Sequence, residues 1–190
     1  MDNALQQKLA DLKGLILDAD GVFFTGQETR NVHEDGKVAV TKTRSLIDGQ
    51  GISFLRALGI KVVIASGENE PLGSIVKKLN ELPSVTSGEW VPVDLFTGEL
   101  KKGGKAASIE AWLEKHGLTW EECAYIGDDR TDWEAMQKAG IKIAPANAQP
   151  FIKEIADYVT ENKGGDGAIR EFADMVVKAK GADPRNLPAA

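Results

Sequence analysis

The sequence predicts a three-layer α/β fold in which a mainly parallel sheet carries helices on both faces. Three observations predict it. Short apolar runs alternate with longer segments of helical period, which is the pattern of layered βα units. Several helical segments stop at a glycine, where a C-cap sits. Three of the apolar runs end in polar residues, as expected where an open sheet delivers the carboxyl ends of its strands to a crevice.

GLILDAD (14–20) is a short continuous apolar run and reads as a buried strand. Residues 22–47, VFFTGQETRNVHEDGKVAVTKTRSLI, hold an Asp-Gly pair between β-prone flanks, which predicts a hairpin with a tight turn. GISFLRALG follows as a helix, KVVIASG as a strand and EPLGSIVKKLNEL as a helix. Residues 83–104, PSVTSGEWVPVDLFTGELKKGG, break the alternation with prolines and glycines around one apolar stretch; a loop or second small hairpin is expected. KAASIEAWLEKHG, CAYIGDD, DWEAMQKAG, IKIAP, PFIKEIA and ADYVT restore the order of helix and strand. GGDGAIRE ends one element and starts an amphipathic helix, EFADMVVKA, before a tail, 181–190, that is expected to be flexible or docked.

A chain of 190 residues with 42% hydrophobic content supports one core, so residues 1–180 are read as a single domain. A net charge of −6 lacks the basic surface that nucleic acid requires. A single cysteine, Cys123, permits no intramolecular disulfide and fits a reducing compartment. No apolar run approaches the roughly 18 residues of a membrane span, and the amino-terminal residues are charged where a signal peptide is apolar. A cytoplasmic protein without a membrane partner is expected.

The chemistry lies at the strand ends. Asp18 and Asp20 are two residues apart and face the same way if the strand continues. Ser66 ends the second main strand, Asp128 and Asp129 end the third, and Asp132 follows one helical turn later. Taken singly, each aspartate has an ordinary explanation as a turn or N-cap residue. Ser66 has one as a local turn or cap, and Lys105 as a solvated lysine. If the acids converge, two charges 4 Å apart repel by about 4 kcal/mol at an effective dielectric near 20, so a cation is implied. Hard carboxylate oxygens suit Mg²⁺. His33 and His116 lack ligand-spaced partners, Cys123 reads as a small core residue, and Trp112 and Trp133 read as packing.

These residues resemble the haloacid dehalogenase superfamily of phosphohydrolases. The resemblance rests on D-x-D-G at Asp18–Gly21, IASG with Ser66, Lys105 before a helix, and GDDRTD at Gly127–Asp132, in the superfamily's order. DGQGISFLRALGIKVVIASGE, HGLTWEECAYIGDDRTDWEAMQKAGI and GGDGAIREFADMV are similar to its capless branch, which includes octulosonate 8-phosphate and nonulosonate 9-phosphate phosphatases. The resemblance implies a Rossmann-like core with a short hairpin in place of a cap domain. It makes Asp18 the nucleophile and Asp20 the general acid and base. Ser66 and Lys105 hold the phosphoryl group and balance charge, and Asp128 ligates Mg²⁺ with Asp18 and the Asp20 carbonyl. Gly67, Asp129 and Asp132 complete the supporting set. The substrate implied is a small phosphorylated sugar acid of the 2-keto-3-deoxy-ulosonate type, with another small phosphomonoester, phosphoserine-like or a sugar phosphate, as the alternative.

It also implies a homotetramer in which hairpins assemble, with His33–Val40 near the centre and a neighbouring subunit closing the site. Arg170 would meet the substrate carboxylate, for which a guanidinium supplies a bidentate pair. There are departures from the branch. Ile47 stands where an arginine is usual, with Arg44 three residues earlier as a substitute, and Glu68 is more like the nonulosonate phosphatases. The Ser66–Lys105 segment is longer by roughly a dozen residues, beyond ordinary loop variation. A signalling receiver also combines acids, a hydroxyl and a lysine, but its acidic pair comes at the first strand and its phosphoacceptor later, the reverse of the order here. A non-catalytic scaffold is the third reading, and every motif position here holds a chemically competent residue.

Overall fold

β1 (Gly14–Asp18) is buried along its whole length and forms the middle of the molecule. A computed structural model describes residues 3–67, 69–97 and 104–187 of the chain. Period-two alternation divides β1 between two cores. Leu15 and Leu17 face one apolar cluster, and Ile16 faces the other. By the same alternation Asp18 continues the Ile16 side.

α1 (Asn3–Asp11) precedes β1; β2 (Glu28–Val32) and β3 (Val38–Lys42) follow it. Next come α2 (Leu46–Ala57), β4 (Lys61–Ala65), α3 (Leu72–Asn80), α4 (Pro83–Thr86) and β5 (Val93–Phe96). The chain continues through α5 (Gly104–His116), β6 (Cys123–Ile126), α6 (Trp133–Lys138), β7 (Ile141–Ala144), α7 (Pro150–Ile155), β8 (Tyr158–Val159) and α8 (Ala168–Ala179). The main sheet runs β5-β4-β1-β6-β7-β8 with every pairing parallel. α1, α2, α3 and α8 supply residues to the core under Leu15 and Leu17, while α5, α6 and α7 supply the core under Ile16. This is the expected three-layer α/β fold. Among the described residues no helix is long and apolar enough to cross a membrane.

One expectation is corrected. The described residues 83–97 do not form a lone loop or second hairpin: α4 is a short helix, and β5 joins the main sheet as its edge strand, with Val62–Ala65 paired to Val93–Phe96. The run is only four residues long and carries Asp94, so its strand character comes from the exposed edge of β4 rather than from alternation. Residues 98–103 of this segment lie outside the described residues. The amino-terminal segment, read only for the absence of a leader, forms α1 and buries Leu5 and Leu9 in the core. The described part of the tail forms a 3₁₀ turn at Pro184–Asn186, where the Asp183 side chain caps the Arg185 N–H.

The predicted hairpin is present as β2 and β3, antiparallel with Val32 opposite Val38, and Gly36 takes the left-handed conformation its turn needs. Its strands rise out of the body with nine of their ten residues exposed. α2 begins earlier than its apolar period suggests, and its first turn holds Asp48, which caps another helix: its buried carboxylate accepts the Gly167 and Arg170 N–H groups at the start of α8 (3.0 and 2.9 Å).

Candidate active site

The ends of β1 and β6 lie side by side, and the first turn of α5 lies over the same face as Asp18. Asp18 Oδ1 accepts the Ala19 N–H at 2.7 Å and Lys105 Nζ at 2.5 Å. Lys105, buried although it is a lysine, also reaches Asp132 Oδ1 at 2.7 Å. Asp132 is fully buried and accepts two further kinds of donor. The Tyr125 hydroxyl reaches Oδ1 at 2.7 Å, and the N–H groups of Asp128 and Asp129 reach Oδ2 at 3.0 and 3.3 Å. Asp132 therefore fixes both Lys105 and the turn that carries Asp128.

Asp18, Asp128 and Asp132 can bring one oxygen each within 4.8 Å of one another. Three carboxylates against the Lys105 ammonium leave two uncompensated negative charges, the charge of one divalent cation. In the absence of a cation, burial and then the Asp132 charge push Asp18 up to about 8. Burial, followed by the charges of Asp132 and Asp129, pushes Asp128 up to about 7. For Lys105, burial works downward, but the facing Asp18 and Asp132 prevail and its pKa is raised. The Tyr125 hydroxyl is pushed well up by burial and the same acids, so it stays a donor.

The donor set fits a hard cation on a separate ground: Asp128 Oδ1 is buried and meets no hydrogen-bond partner. In a buried carboxylate such an oxygen is costly unless a ligand meets it. Gly21, with φ +84°, lets the carboxylate pack against the loop after β1, since a Cβ there would fall 2.0 Å from Asp128 Oδ2. The loop after β1 is held from behind. Asn147 Nδ2 donates to the Gly21 carbonyl at 2.9 Å, Asn147 Oδ1 accepts the Gly164 N–H at 2.6 Å, and the Gly165 N–H donates to the Val22 carbonyl at 2.7 Å.

The structure thus brings Asp18, Lys105, Asp128 and Asp132 together. Ser66 follows β4, which pairs directly with β1; it is buried, and its N–H donates to the Phe96 carbonyl at 2.9 Å. Gly67 follows it with open space where a Cβ would be. The Asp129 side chain turns outward as an N-cap, accepting the Arg130 N–H at 2.7 Å, while its own N–H donates to Asp132 and its charge bears on Asp128. Asp20 is half-buried, and both its oxygens are engaged by Lys42 Nζ at 2.8 and 2.9 Å. Glu68 lies outside the described residues.

The two arginines stand apart from the cluster. Arg44 lies over the Phe23 ring, 5.4 Å from its centroid. Arg170 bridges α8 and α2: its guanidinium meets Asp174 at 2.9 and 3.0 Å and Gln50 at 2.7 Å, over the Phe54 ring. Cys123 is a core residue whose thiol is pushed up to about 12, first by burial, so it is no nucleophile. Trp112 is buried and Trp133 packs on Phe151, as packing residues do. Sequence reasoning missed Tyr125, Lys42 and Asn147. Tyr125, two positions before Gly127 in a strand that ends at the acids, had a findable signal; nothing local distinguishes Lys42 from Lys37 or marks Asn147.

A family model described as haloacid dehalogenase-like hydrolase matches residues 60–172. The chain is 33% identical over 177 residues to a 3-deoxy-D-manno-octulosonate 8-phosphate phosphatase of Haemophilus influenzae, covering 93% of this chain and 89% of that one. Among solved structures, that phosphatase from Moraxella catarrhalis, in complex with a magnesium ion, a phosphate ion and a KDO molecule, superposes with a TM-score of 0.78 at 28% identity. The match covers 95% of this chain and 94% of that one. The cobalt-bound form from Haemophilus influenzae gives a TM-score of 0.76 at 33% identity, with 92% of each chain covered.

Proposed function

Because this chain belongs to the haloacid dehalogenase-like hydrolases and is a phosphoric monoester hydrolase, we propose that its substrate is a phosphorylated 3-deoxy sugar acid of the octulosonate 8-phosphate type. Enzymes of this family use a divalent metal, and we assign Mg²⁺ to the site of Asp18, Asp128 and the Asp20 carbonyl. The observation that carries the reading is Lys105 bridging Asp18 and Asp132 beside the unpartnered Asp128 oxygen.

In this reading Asp18 attacks phosphorus and is transiently phosphorylated, which splits one difficult displacement into two. Lys105 holds the attacking carboxylate by its Oδ1 and offsets its charge against the phosphoryl oxygens. Asp132 holds Lys105, and Tyr125 in turn holds Asp132. Ser66 and Gly67, at the end of the neighbouring strand, would donate to the phosphoryl oxygens. Asp20 gives a proton to the departing alcohol and then takes one from the attacking water. A bound cation supplies charge neutralisation for the dianionic phosphoryl group.

The exposed Val32, Val38, Val40, Leu46 and Ile47 support a homotetramer built through the hairpins. A neighbouring copy would then close the site. Arg170 would reach a substrate carboxylate only across such a boundary, after giving up Asp174. The single buried thiol supports a cytoplasmic location. Glu68 favours a second reading, a nonulosonate 9-phosphate. Phosphate release with Mg²⁺ over a panel of eight- and nine-carbon ulosonate phosphates, simple sugar phosphates and phosphoserine tests the proposal. The expected result is a kcat/KM for an ulosonate phosphate well above the rest, and a uniformly low profile would remove the substrate class.

A further inference from the structure

We propose that Lys42, on the hairpin, is a positioning residue for proton transfer: it sets where the Asp20 carboxylate stands and so ties the hairpin to the reaction. The inference rests on the reading of Asp20 as the general acid and base.

Of the ten residues in β2 and β3, Lys42 alone is not exposed. Its side chain is only 5% exposed, whereas that of Asp20 is 41% exposed. A lysine turned inward at the foot of a solvated hairpin gives up hydration that a lysine ordinarily keeps. Here the ammonium recovers it by holding both oxygens of Asp20, 2.8 and 2.9 Å away, with the Phe24 ring centroid 5.7 Å off. The backbone fixes its approach, since the Thr25 N–H donates to the Thr43 carbonyl at 3.0 Å. Asp20 itself lies beyond the end of β1, where no ladder holds it on both sides; it makes only an isolated bridge to Phe24. Lys42 therefore supplies the orientation that the sheet supplies for Asp18.

Asp20 and Lys42 also line a cavity of about 180 Å³ with Gly26, Gln27 and Glu28. Its walls are polar and suit the alcohol portion of a hydroxylated ester. Asp20 takes up a proton from solvent before the reaction; as the phosphorus–oxygen bond to the alcohol breaks and the Asp18 oxygen bonds to phosphorus, that proton passes to the oxygen that leaves, and Lys42 holds the carboxylate so formed. A carboxyl displaced by even a rotamer loses that alignment.

kcat/KM reports the chain of steps up to release of the alcohol, so it isolates this proton transfer from hydrolysis of the phosphoenzyme. The experiment compares an alkyl phosphate, whose alkoxide needs the proton, with p-nitrophenyl phosphate, whose phenolate leaves without it. Lys42→Met is expected to lower the alkyl-to-aryl ratio of kcat/KM by about 10-fold or more, a fraction of the 10²- to 10⁴-fold typical of a general acid. Lys42→Arg is expected to restore most of the ratio. Lys42→Gln serves if the methionine variant does not fold, and Asp20→Asn is measured alongside. An unchanged ratio in the lysine variants, with a lowered ratio in Asp20→Asn, overturns the role of Lys42. An unchanged ratio in Asp20→Asn overturns the acid–base reading itself.

Discussion

The acid cluster and the hairpin are opposite solutions to the same surface. At the ends of β1 and β6, four ionisable side chains are packed so tightly that Lys105 serves two carboxylates and Asp132 serves four donors. In β2 and β3, apolar side chains stand in water: Val32 is 72% exposed, Val38 51% and Val40 40%. One region meets nearly all its polar groups with partners from the chain, Asp128 Oδ1 excepted, and the other leaves apolar side chains exposed. The contrast teaches that the acid cluster is preorganised by the sheet, whereas the hairpin leaves apolar surface in water, which is what the proposed assembly would cover. A half-satisfied buried charge network is costly, so Lys105, Tyr125 and backbone N–H groups meet the acids and one Asp128 oxygen is left for a cation. An apolar ribbon tolerates waiting for a partner.

The largest test removes the nucleophile. Asp18→Asn is expected to lower phosphate release by at least about 10⁴-fold, comparable with loss of a nucleophile in other covalent enzymes; near-normal turnover would refute covalent catalysis here. Next, the network itself can be broken. Asp132→Ala leaves Lys105 with Asp18 alone and the buried Tyr125 hydroxyl without its acceptor, and an unsatisfied buried polar group costs about 1–3 kcal/mol. Chemical denaturation should show that loss, with activity lowered at saturating substrate. A variant as stable as the parent would mean that the cluster is less closed than its geometry.

A milder perturbation is pH. Asp18 and Asp128 stand at about 8 and about 7 in the cation-free fold, against an ordinary value near 4. The folded chain therefore binds more protons than the unfolded one between those limits, and stability falls as pH rises from about 4 to about 8. A cation needs both groups ionised, so the rise in Tm on adding Mg²⁺ should be larger at pH 8 than at pH 5. Equal shifts at the two pH values would separate the cation from these acids. The smallest effect on folding belongs to the hairpin. Val38→Glu with Val40→Glu should change the stability of the isolated chain by no more than about 0.5 kcal/mol per site. Sedimentation velocity should show tetramer in the parent and monomer in the double variant, and identical profiles would put the assembly elsewhere or nowhere.

How much of this was legible in the sequence follows from how local each signal is. GLILDAD announces a buried strand ending in acids because both the apolar run and the aspartates are contiguous. Asp35-Gly36 announces its turn for the same reason. β5 could not be read, because its four residues become a strand only against the free edge of β4. Asp48 looked like part of a motif and proved to cap α8 from another helix.

The sequence by itself determined the fold class, the order of the strands that carry chemistry, and the identities of Asp18, Lys105, Asp128 and Asp132, since periodicity and residue type are local properties. Only the tertiary structure decided what those groups do to one another. It gave Lys105 two carboxylates at once, added Tyr125 beneath Asp132, left one Asp128 oxygen without a donor, and turned Lys42 inward onto Asp20. Those outcomes depend on distances between residues as many as 87 positions apart in the chain. Electrostatic coupling depends on separation in space and on burial, and neither quantity is written along the chain.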